Sequence, residues 1–403
     1  MPTHKNIERS ICLCNTHATW GGGEKWHLDT AKALVARGWH VTLLANQTCR
    51  LYDEARDFAA TLKHDNLGSL RVIPLTIKSL SFLNPCVMAR LVRFFRQEKV
   101  QTLVMGLPAE LKSVGLAAKM AGVPRIIYRR GSALPVRNSS SNRYLYGSVL
   151  TGLIVNSQQT RDLVLADNAQ LIDHERIHLL PNGLDVAVFD AALQEDVGAQ
   201  QEQSSPTQEN APIIIGNAGR LDKQKAQHYL IRMMPHLVEA GLNVRLRIAG
   251  HGALHSELEA LAHELGVSDR VELLGFMSNL GPFWHELDIF VLSSLWEGFG
   301  YVLVEAMAAK VPVVAFGISN IPEIVEHGVT GLLVQGPQEA IACKADSTKQ
   351  TAECPELLLA QAVMRLAKDA SVRHKMGDAG RAHVLKTYTQ ERCMDSLEAI
   401  LLR

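Results

Sequence analysis

Ser293-Ser294-Leu295-Trp296-Glu297-Gly298-Phe299-Gly300-Tyr301-Val302-Leu303-Val304-Glu305-Ala306-Met307-Ala308 is the stretch that decides the fold. It follows the apolar run Ile289–Leu292 and precedes another, Val313–Ala315. A short apolar run, a glycine turn, a helical period over Val302–Ala309 and a second apolar run make a strand–helix–strand unit of a parallel sheet. Gly298 and Gly300 flank the turn, so main-chain amides at the helix start can face a phosphate. Glu297 sits in the turn, and Glu305 lies eight residues on, about one helical turn inside. Carboxylates so spaced do not share a proton and suit hydrogen bonds from separate hydroxyls. Acidic residues are ordinarily favourable at a helix N-terminus. That accounts for Glu297 but not for the glycines, nor for Glu305 in its apolar context.

The same alternation extends in both directions. Strands are expected at Ile213–Gly216, Asn243–Ala249 and Val271–Leu274, with helices at Tyr229–Ala240 and Leu254–Leu265. The first half repeats the pattern, with strands at Ile11–Asn15, Val41–Ala45, Arg71–Pro74, Thr102–Met105 and Arg125–Tyr128. Helices between them are expected at Glu24–Arg37, Asp53–Leu62, Pro85–Glu98 and Lys112–Ala121. The chain of 403 residues has room for about two domains at roughly 100–200 residues each. Ala191–Asn210, rich in Gln with almost no large apolar residue, reads as a linker or insertion, and Gln338–Glu356 is a second polar stretch. The expected division is an N-terminal α/β domain over 1–190, a linker over 191–211 and a second α/β domain over 212–386. An amphipathic helix over 387–403 is expected to cross back to the first domain.

Neither half carries G-x-G-x-x-G after its first strand, and no Walker A sequence is present, which disfavours a dehydrogenase or a P-loop enzyme. The first half opens instead through Trp20-Gly21-Gly22-Gly23-Glu24. These glycines fit either a flexible turn or a backbone brought close to an anionic ligand. In the second half, Gly219-Arg220 and then Lys225 place two cations near one strand end, as a diphosphate would require, although most such charges are solvated surface.

Here the sequence resembles a known family. Glu297 through Glu305 is similar to the E-x7-E signature of nucleotide-sugar glycosyltransferases, particularly glycosyltransferase family 4. Gly22-Gly23-Glu24 resembles the family's N-terminal glycine loop, and Arg37-Gly38-Trp39-His40-Val41 its GHxV step. Leu180-Pro181-Asn182-Gly183-Leu184-Asp185 resembles its PNGxD hinge. Gly219-Arg220 with Lys225 resembles its diphosphate pair, and Ala249-Gly250-His251-Gly252, Gly275-Phe276 and Ile321-Pro322-Glu323-Ile324 stand in matching order. The resemblance covers nearly the whole chain and is densest over 211–335.

It implies an α/β GT-B fold, two doubly wound Rossmann-like domains facing across a cleft. It further implies a retaining transferase acting by front-face attack, without a protein nucleophile. Arg220 and Lys225 would bind the donor diphosphate, Glu297 would approach the transferred sugar, and Glu305 would hold the ribose hydroxyls. Gly298, Phe299 and Gly300 would complete the phosphate site, with Gly22 and Gly23 facing the donor from the other domain. Two positions depart from the family. Arg129-Arg130-Gly131 stands where many members have a His–Gly pair, so Arg130 takes the place of a donor-sugar contact, and Lys225-Ala226 replaces Lys-Gly. A nucleotide-sugar epimerase, a phosphorylase and a non-catalytic binding protein are the competing readings.

Composition narrows the partners. The chain is 47% hydrophobic, with 41 basic and 41 acidic residues. Zero net charge argues against a nucleic-acid binder. The balance is uneven: residues 1–190 carry +8 and the remainder −8. A basic first half suits an anionic saccharide or lipid-linked acceptor. Arg90, Arg93, Arg96 and Lys99, near Val87, Leu91, Phe94 and Phe95, fit either peripheral contact with the inner membrane or a solvated helix face. Arg125, Arg129, Arg130, Arg137 and Arg143 form a second basic run, placed beside the cleft. The seven cysteines lack CxxC or zinc spacing, Cys12 and Cys14 read as core, and no signal peptide or membrane span is evident. The expectation is a cytoplasmic enzyme with no metal and no cofactor beyond its nucleotide-sugar substrate, active in lipopolysaccharide or other surface polysaccharide synthesis.

Overall fold

The computed structural model describes residues 9–63, 67–194, 211–337 and 354–402. The chain forms two compact units. The first runs to Asn182 and takes back the chain from Arg392, and the second is Gly183–Glu391.

In the first unit, seven parallel strands line up in the order β3-β2-β1-β4-β5-β6-β7. They are β1 (Ser10–Asn15), β2 (His40–Ala45), β3 (Ser69–Pro74), β4 (Thr102–Met105), β5 (Arg125–Arg130), β6 (Gly152–Val155) and β7 (Ile177–Leu179). β1, β4 and β6 are near-continuous apolar runs buried on both faces, as a parallel sheet covered by helices requires. Cys12 and Cys14 are buried in β1.

The helix Gly22–Ala36 begins two residues earlier than the periodicity indicates, so Gly22 and Gly23 form its first turn. The segment expected as one helix over Lys112–Ala121 starts at Pro108 and passes through a wider turn over Leu111–Gly115. Residues 392–401 of the C-terminal helix Gln390–Leu401 pack in this unit, burying Met394, Leu397 and Leu401 against the core that holds Trp39. Glu398 accepts from the Trp39 indole at 2.6 Å and from Arg37 at 2.6 Å, while Asp395 accepts from Arg37 at 2.7 Å.

The second unit has six parallel strands in the order β10-β9-β8-β11-β12-β13. They are β8 (Ile213–Ala218), β9 (Val244–Ala249), β10 (Val271–Gly275), β11 (Ile289–Leu292), β12 (Val313–Phe316) and β13 (Gly331–Val334). The helix Val186–Gln194 belongs to this unit, so the division falls at Asn182/Gly183 rather than at 190, and Ala191–Gln194 is helical rather than linker. Residues 195–210 and 338–353, which hold the rest of the two polar stretches, lie outside the described residues. Gly183 explains its own identity: a Cβ there would stand 2.6 Å from Gln390 Cα, where Leu184 bridges to Thr389.

Each sheet reverses its strand order once, between β1 and β4 in the first unit and between β8 and β11 in the second. Open α/β sheets bind ligands at such points, outside the carboxyl ends of the strands.

Two buried ionisable groups occupy the reversal point of the first unit. Glu110 accepts from the amides of Thr16 at 2.5 Å and of Gly106 and Leu107 at 3.0 Å, tying the loop after β1 to the loop after β4. Burial raises its carboxyl to about 7, against the pull of those amides. His27, whose Nδ1 lies 2.8 Å from the Gly23 carbonyl, is lowered by burial to about 3, with Arg129 adding to the fall. Their linkages oppose. The raised Glu110 contributes stability that is full below about 4.5 and lost as pH rises to about 7; the depressed His27 contributes stability present above about 6.5 and lost as pH falls toward 3. Glu110→Gln is therefore expected to steepen the rise of stability between pH 4.5 and 6.5 by up to ~1.4 kcal/mol per pH unit. Urea unfolding midpoints across that range test it, and parallel profiles for variant and parent contradict it.

Candidate active site

The second unit's reversal point gathers most of the residues singled out from sequence. β8 ends in Asn217 and Ala218, and buried Asn217 donates through Nδ2 to the Val291 carbonyl of β11 at 2.8 Å. The chain then leaves through Gly219, Arg220 and a turn to Lys225. The Lys225 stem lies over Gly219, where a Cβ would meet Lys225 Cε at 3.3 Å.

Lys225 and Glu297 form an ion pair, Nζ to Oε1 at 2.5 Å, with side chains 14% and 6% exposed. Ser294, fully buried, donates to the same carboxylate oxygen at 2.6 Å, and Ser293 donates to the Lys225 carbonyl at 2.9 Å. Gln224 joins the two loops again: its carbonyl accepts from the Leu295 amide at 2.8 Å and its side chain donates to the Trp296 carbonyl at 2.8 Å. Arg220 is exposed and lies against Asp222 at 3.2 Å and Gln224 at 3.3 Å. One hydrogen-bonded network thus holds Arg220, Lys225 and Glu297.

The turn Glu297–Gly300 is clamped from the loop after β12. Ser319 accepts from the Glu297 amide at 3.3 Å and donates to the Glu297 carbonyl at 2.9 Å, while buried Asn320 donates to the Phe299 carbonyl at 2.8 Å. Gly300 has φ +88°, a left-handed conformation that starts the helix Tyr301–Ala308 at the observed angle. A helix start of this kind can bind an anion through its main-chain amides. Glu305 is half-buried in the same helix.

Ala226 also takes a left-handed conformation, φ +48°, and is fully buried. A side-chain-bearing residue there costs ~1–2 kcal/mol, which glycine's greater loss of chain entropy, ~0.5–1 kcal/mol, partly cancels. Ala226→Gly is expected to leave unfolding stability unchanged or raise it by up to ~1 kcal/mol; a loss larger than that in denaturant unfolding contradicts the strain.

Gly22, Gly23 and Arg130 belong to the first unit. Gly22 and Gly23 stand in the first turn after β1, with the Gly23 carbonyl on His27. Arg130 ends β5 and is 6% exposed, its Nη2 donating to the Leu134 carbonyl at 2.5 Å. Arg129 is equally buried, stacked 4.7 Å over the Trp26 ring and donating to Asn182 at 2.6 Å. The expected basic run is therefore split: Arg137 and Arg143 face solvent, and Arg129 and Arg130 turn inward.

Ser293, Ser294, Gln224, Ser319 and Asn320 carry no role in the sequence pattern. Small polar residues carry no period, and only the register of β8, β11 and β12 brings them to the pair. Two buried groups of the first unit were also given no role: His27, inside the helix expected over Glu24–Arg37, and Glu110, just before the one expected from Lys112. Among the described residues, no group of three or more His, Cys, Asp or Glu side chains is arranged to hold a metal, and no helix is long and apolar enough to cross a membrane.

Two Rossmann-type units on one chain are the GT-B architecture, and comparison with known proteins supplies the family. The family described as Glycosyltransferase Family 4 matches residues 20–188, and Glycosyl transferases group 1 matches 199–383. A glycosyltransferase of Methanocaldococcus jannaschii is 36% identical over 162 residues, 40% of this chain and 41% of that protein. EpsF of Bacillus subtilis, named as a glycosyltransferase, is 30% identical over 62% of this chain and 67% of its own length. The GDP-mannose-dependent monoacylated alpha-(1-6)-phosphatidylinositol monomannoside mannosyltransferase of Corynebacterium glutamicum is 29% identical, covering 80% of this chain and 82% of that protein. The Anabaena protein HepE, solved with UDP and glucose, superposes with a TM-score of 0.76 at 20% identity, covering 98% of this chain and 99% of its own. The chain belongs to glycosyltransferase family 4 and is a glycosyl-transferring enzyme with the GT-B fold.

Proposed function

We propose that the chain is a retaining glycosyltransferase that moves a sugar from a nucleotide-diphosphate donor to a saccharide or lipid-linked acceptor in surface polysaccharide synthesis, lipopolysaccharide included. The observation that carries this reading is the Lys225–Glu297 pair at the reversal point of the second sheet, beside Arg220 and the amides of the Glu297–Gly300 turn. Phosphate oxygens entering there meet an ammonium, a guanidinium and main-chain donors fixed before the ligand arrives. That relay of positive charge stabilises a diphosphate more as it departs than while it is esterified.

The reaction follows from that bias. The bond from the anomeric carbon to the diphosphate oxygen breaks, and its electron pair stays on the diphosphate. The acceptor hydroxyl attacks from the same face, and its proton passes to the departing oxygen, so configuration is retained. Lys225 and Arg220 take the charge that a metal ion carries in other transferases, and chelator is expected to leave the rate unchanged. Glu297, held by Lys225 and Ser294, faces the donor sugar's hydroxyls, and Glu305 the ribose. Phe276, 61% exposed after β10 and edge-on to His251 after β9, offers a stacking face for the base on the same sheet edge.

Relatives named for capsular polysaccharide and phosphatidylinositol mannoside chemistry support the choice of pathway and of a lipid-linked acceptor. Exposed Arg90 and Arg93 on the helix Pro85–Gln97, with exposed Leu80 and Leu83 just before it, suit peripheral contact with an anionic membrane face from the cytoplasm.

A panel of nucleotide sugars, scored by mass spectrometry for slow donor hydrolysis without acceptor, tests the function. One preferred donor is expected, with hydrolysis lost in Glu305→Ala. Interconversion of free nucleotide sugars, dependence on orthophosphate, or equal rates in Glu305→Ala contradict it.

A further inference from the structure

The Arg130 guanidinium ends β5 at the carboxyl edge of the first sheet, and within 4.0 Å it meets no carboxylate among the described residues. Its partners are neutral. Nη2 donates to the Leu134 carbonyl, Nε is buried with no partner, and its charge acts on the buried hydroxyls of Tyr128 and Tyr146, whose rings meet edge-on at 6.2 Å. Glu110, whose charge also acts on the Tyr128 hydroxyl, has its oxygens taken by three amides. Removing a cation from water costs several kcal/mol unless an anion answers it. If Arg130 served only to anchor Leu134, a neutral donor would do so without that cost. Among the described residues no carboxylate pairs with this charge, which stands at the sheet edge where α/β units take their ligands.

We infer that Arg130 is an anion-recognition site, which makes the first unit selective for a substrate bearing a carboxylate or phosphate group. This rests on the transferase reading and narrows its substrate to acidic or phosphorylated saccharides. The carboxylate or phosphate supplies the missing countercharge through the guanidinium fork, and the Tyr128 and Tyr146 hydroxyls and the Leu134 carbonyl fix the direction in which that fork points.

Calorimetric titration of the full chain with glucuronate, glucose 6-phosphate and glucose tests this, with UDP titrated in the same series. At least one of the two anionic sugars is expected to bind about tenfold or more tightly than glucose. Preference for glucuronate identifies a carboxylate ligand, and preference for glucose 6-phosphate a phosphate. Arg130→Gln is expected to remove the preference, and Arg130→Lys, which keeps charge but not the fork, to reduce it several-fold. Equal binding of the three sugars by the parent protein overturns the inference, whether or not the glutamine variant folds. So does an undiminished preference in either variant. Failure of UDP to bind instead counts against the donor reading and leaves the sugar comparison standing.

Discussion

Replacing Gly250 with alanine is expected to abolish donor hydrolysis and to lower unfolding stability by ~3 kcal/mol or more. Gly250 follows β9 with φ +142°, a conformation nearly closed to any other residue. A Cβ built there lies 1.9 Å from the Gly219 carbonyl oxygen, and that neighbour is backbone, so no side chain can yield. The carbonyl belongs to the segment that delivers Arg220. It is fixed by the Gly219 amide donating to Ala249 at 2.9 Å and the Leu221 amide donating to His251 at 3.0 Å. Relief requires displacing the Gly219–Leu221 backbone, and with it the cations of the site. Gly241, which has φ +76° and no atom within 4 Å of its Cβ, is the control: Gly241→Ala carries the conformational strain without the collision. It is expected to lose ~1–2 kcal/mol and to keep donor hydrolysis. Thermal unfolding with hydrolysis assays on both variants separates the two effects, and equal behaviour contradicts the assignment.

The second large effect belongs to the buried pair. Lys225→Met is expected to reduce kcat/KM by about a thousandfold, roughly 4 kcal/mol of transition-state stabilisation. It also leaves Glu297, 6% exposed, with Ser294 but without its cation, so a stability loss of ~3 kcal/mol should accompany it. Glu297→Gln in the same background removes the stranded charge. The double variant is therefore expected to recover much of the stability and none of the activity. If stability and activity return together, the loss in Lys225→Met came from the stranded Glu297 charge and not from a missing contact to the diphosphate; if neither single variant loses activity, the pair is structural.

The architecture was legible because apolar runs alternate with helical periods over most of the chain. β4 and β11 lie where their apolar runs place them, and their partners differ by a residue or two at the ends. Length does not separate these from the missed strands: β6 and β13 are as short as β4 and β11, but each opens on a glycine, and β7 is three residues with His178 at its centre. The helix Ala370–Thr387, not expected from the sequence, carries Gly377 and Gly380, residues unfavourable inside a helix. Gly377 is there because a Cβ would sit 2.0 Å from the Lys310 carbonyl oxygen, and Gly380 packs on Met307. At the site, motif order indicated Arg220, Lys225 and Glu297 as separate charges. Their bonding to one another, the Ser319 and Asn320 clamp and the inward turn of Arg129 and Arg130 arise from strand register and loop course, which no local pattern encodes.

In the proposed donor site, the second unit meets a nucleoside diphosphate with Arg220, Lys225 and the amides of the Glu297–Gly300 turn, without a metal. Calorimetric titration of the full chain with UDP, GDP and ADP in the presence of chelator tests that site. At least one is expected to bind without metal, and Lys225→Met to weaken that binding by about tenfold or more, as loss of a charge-assisted contact to phosphate should. Binding that appears only with a divalent cation, or an affinity unchanged in Lys225→Met, contradicts it.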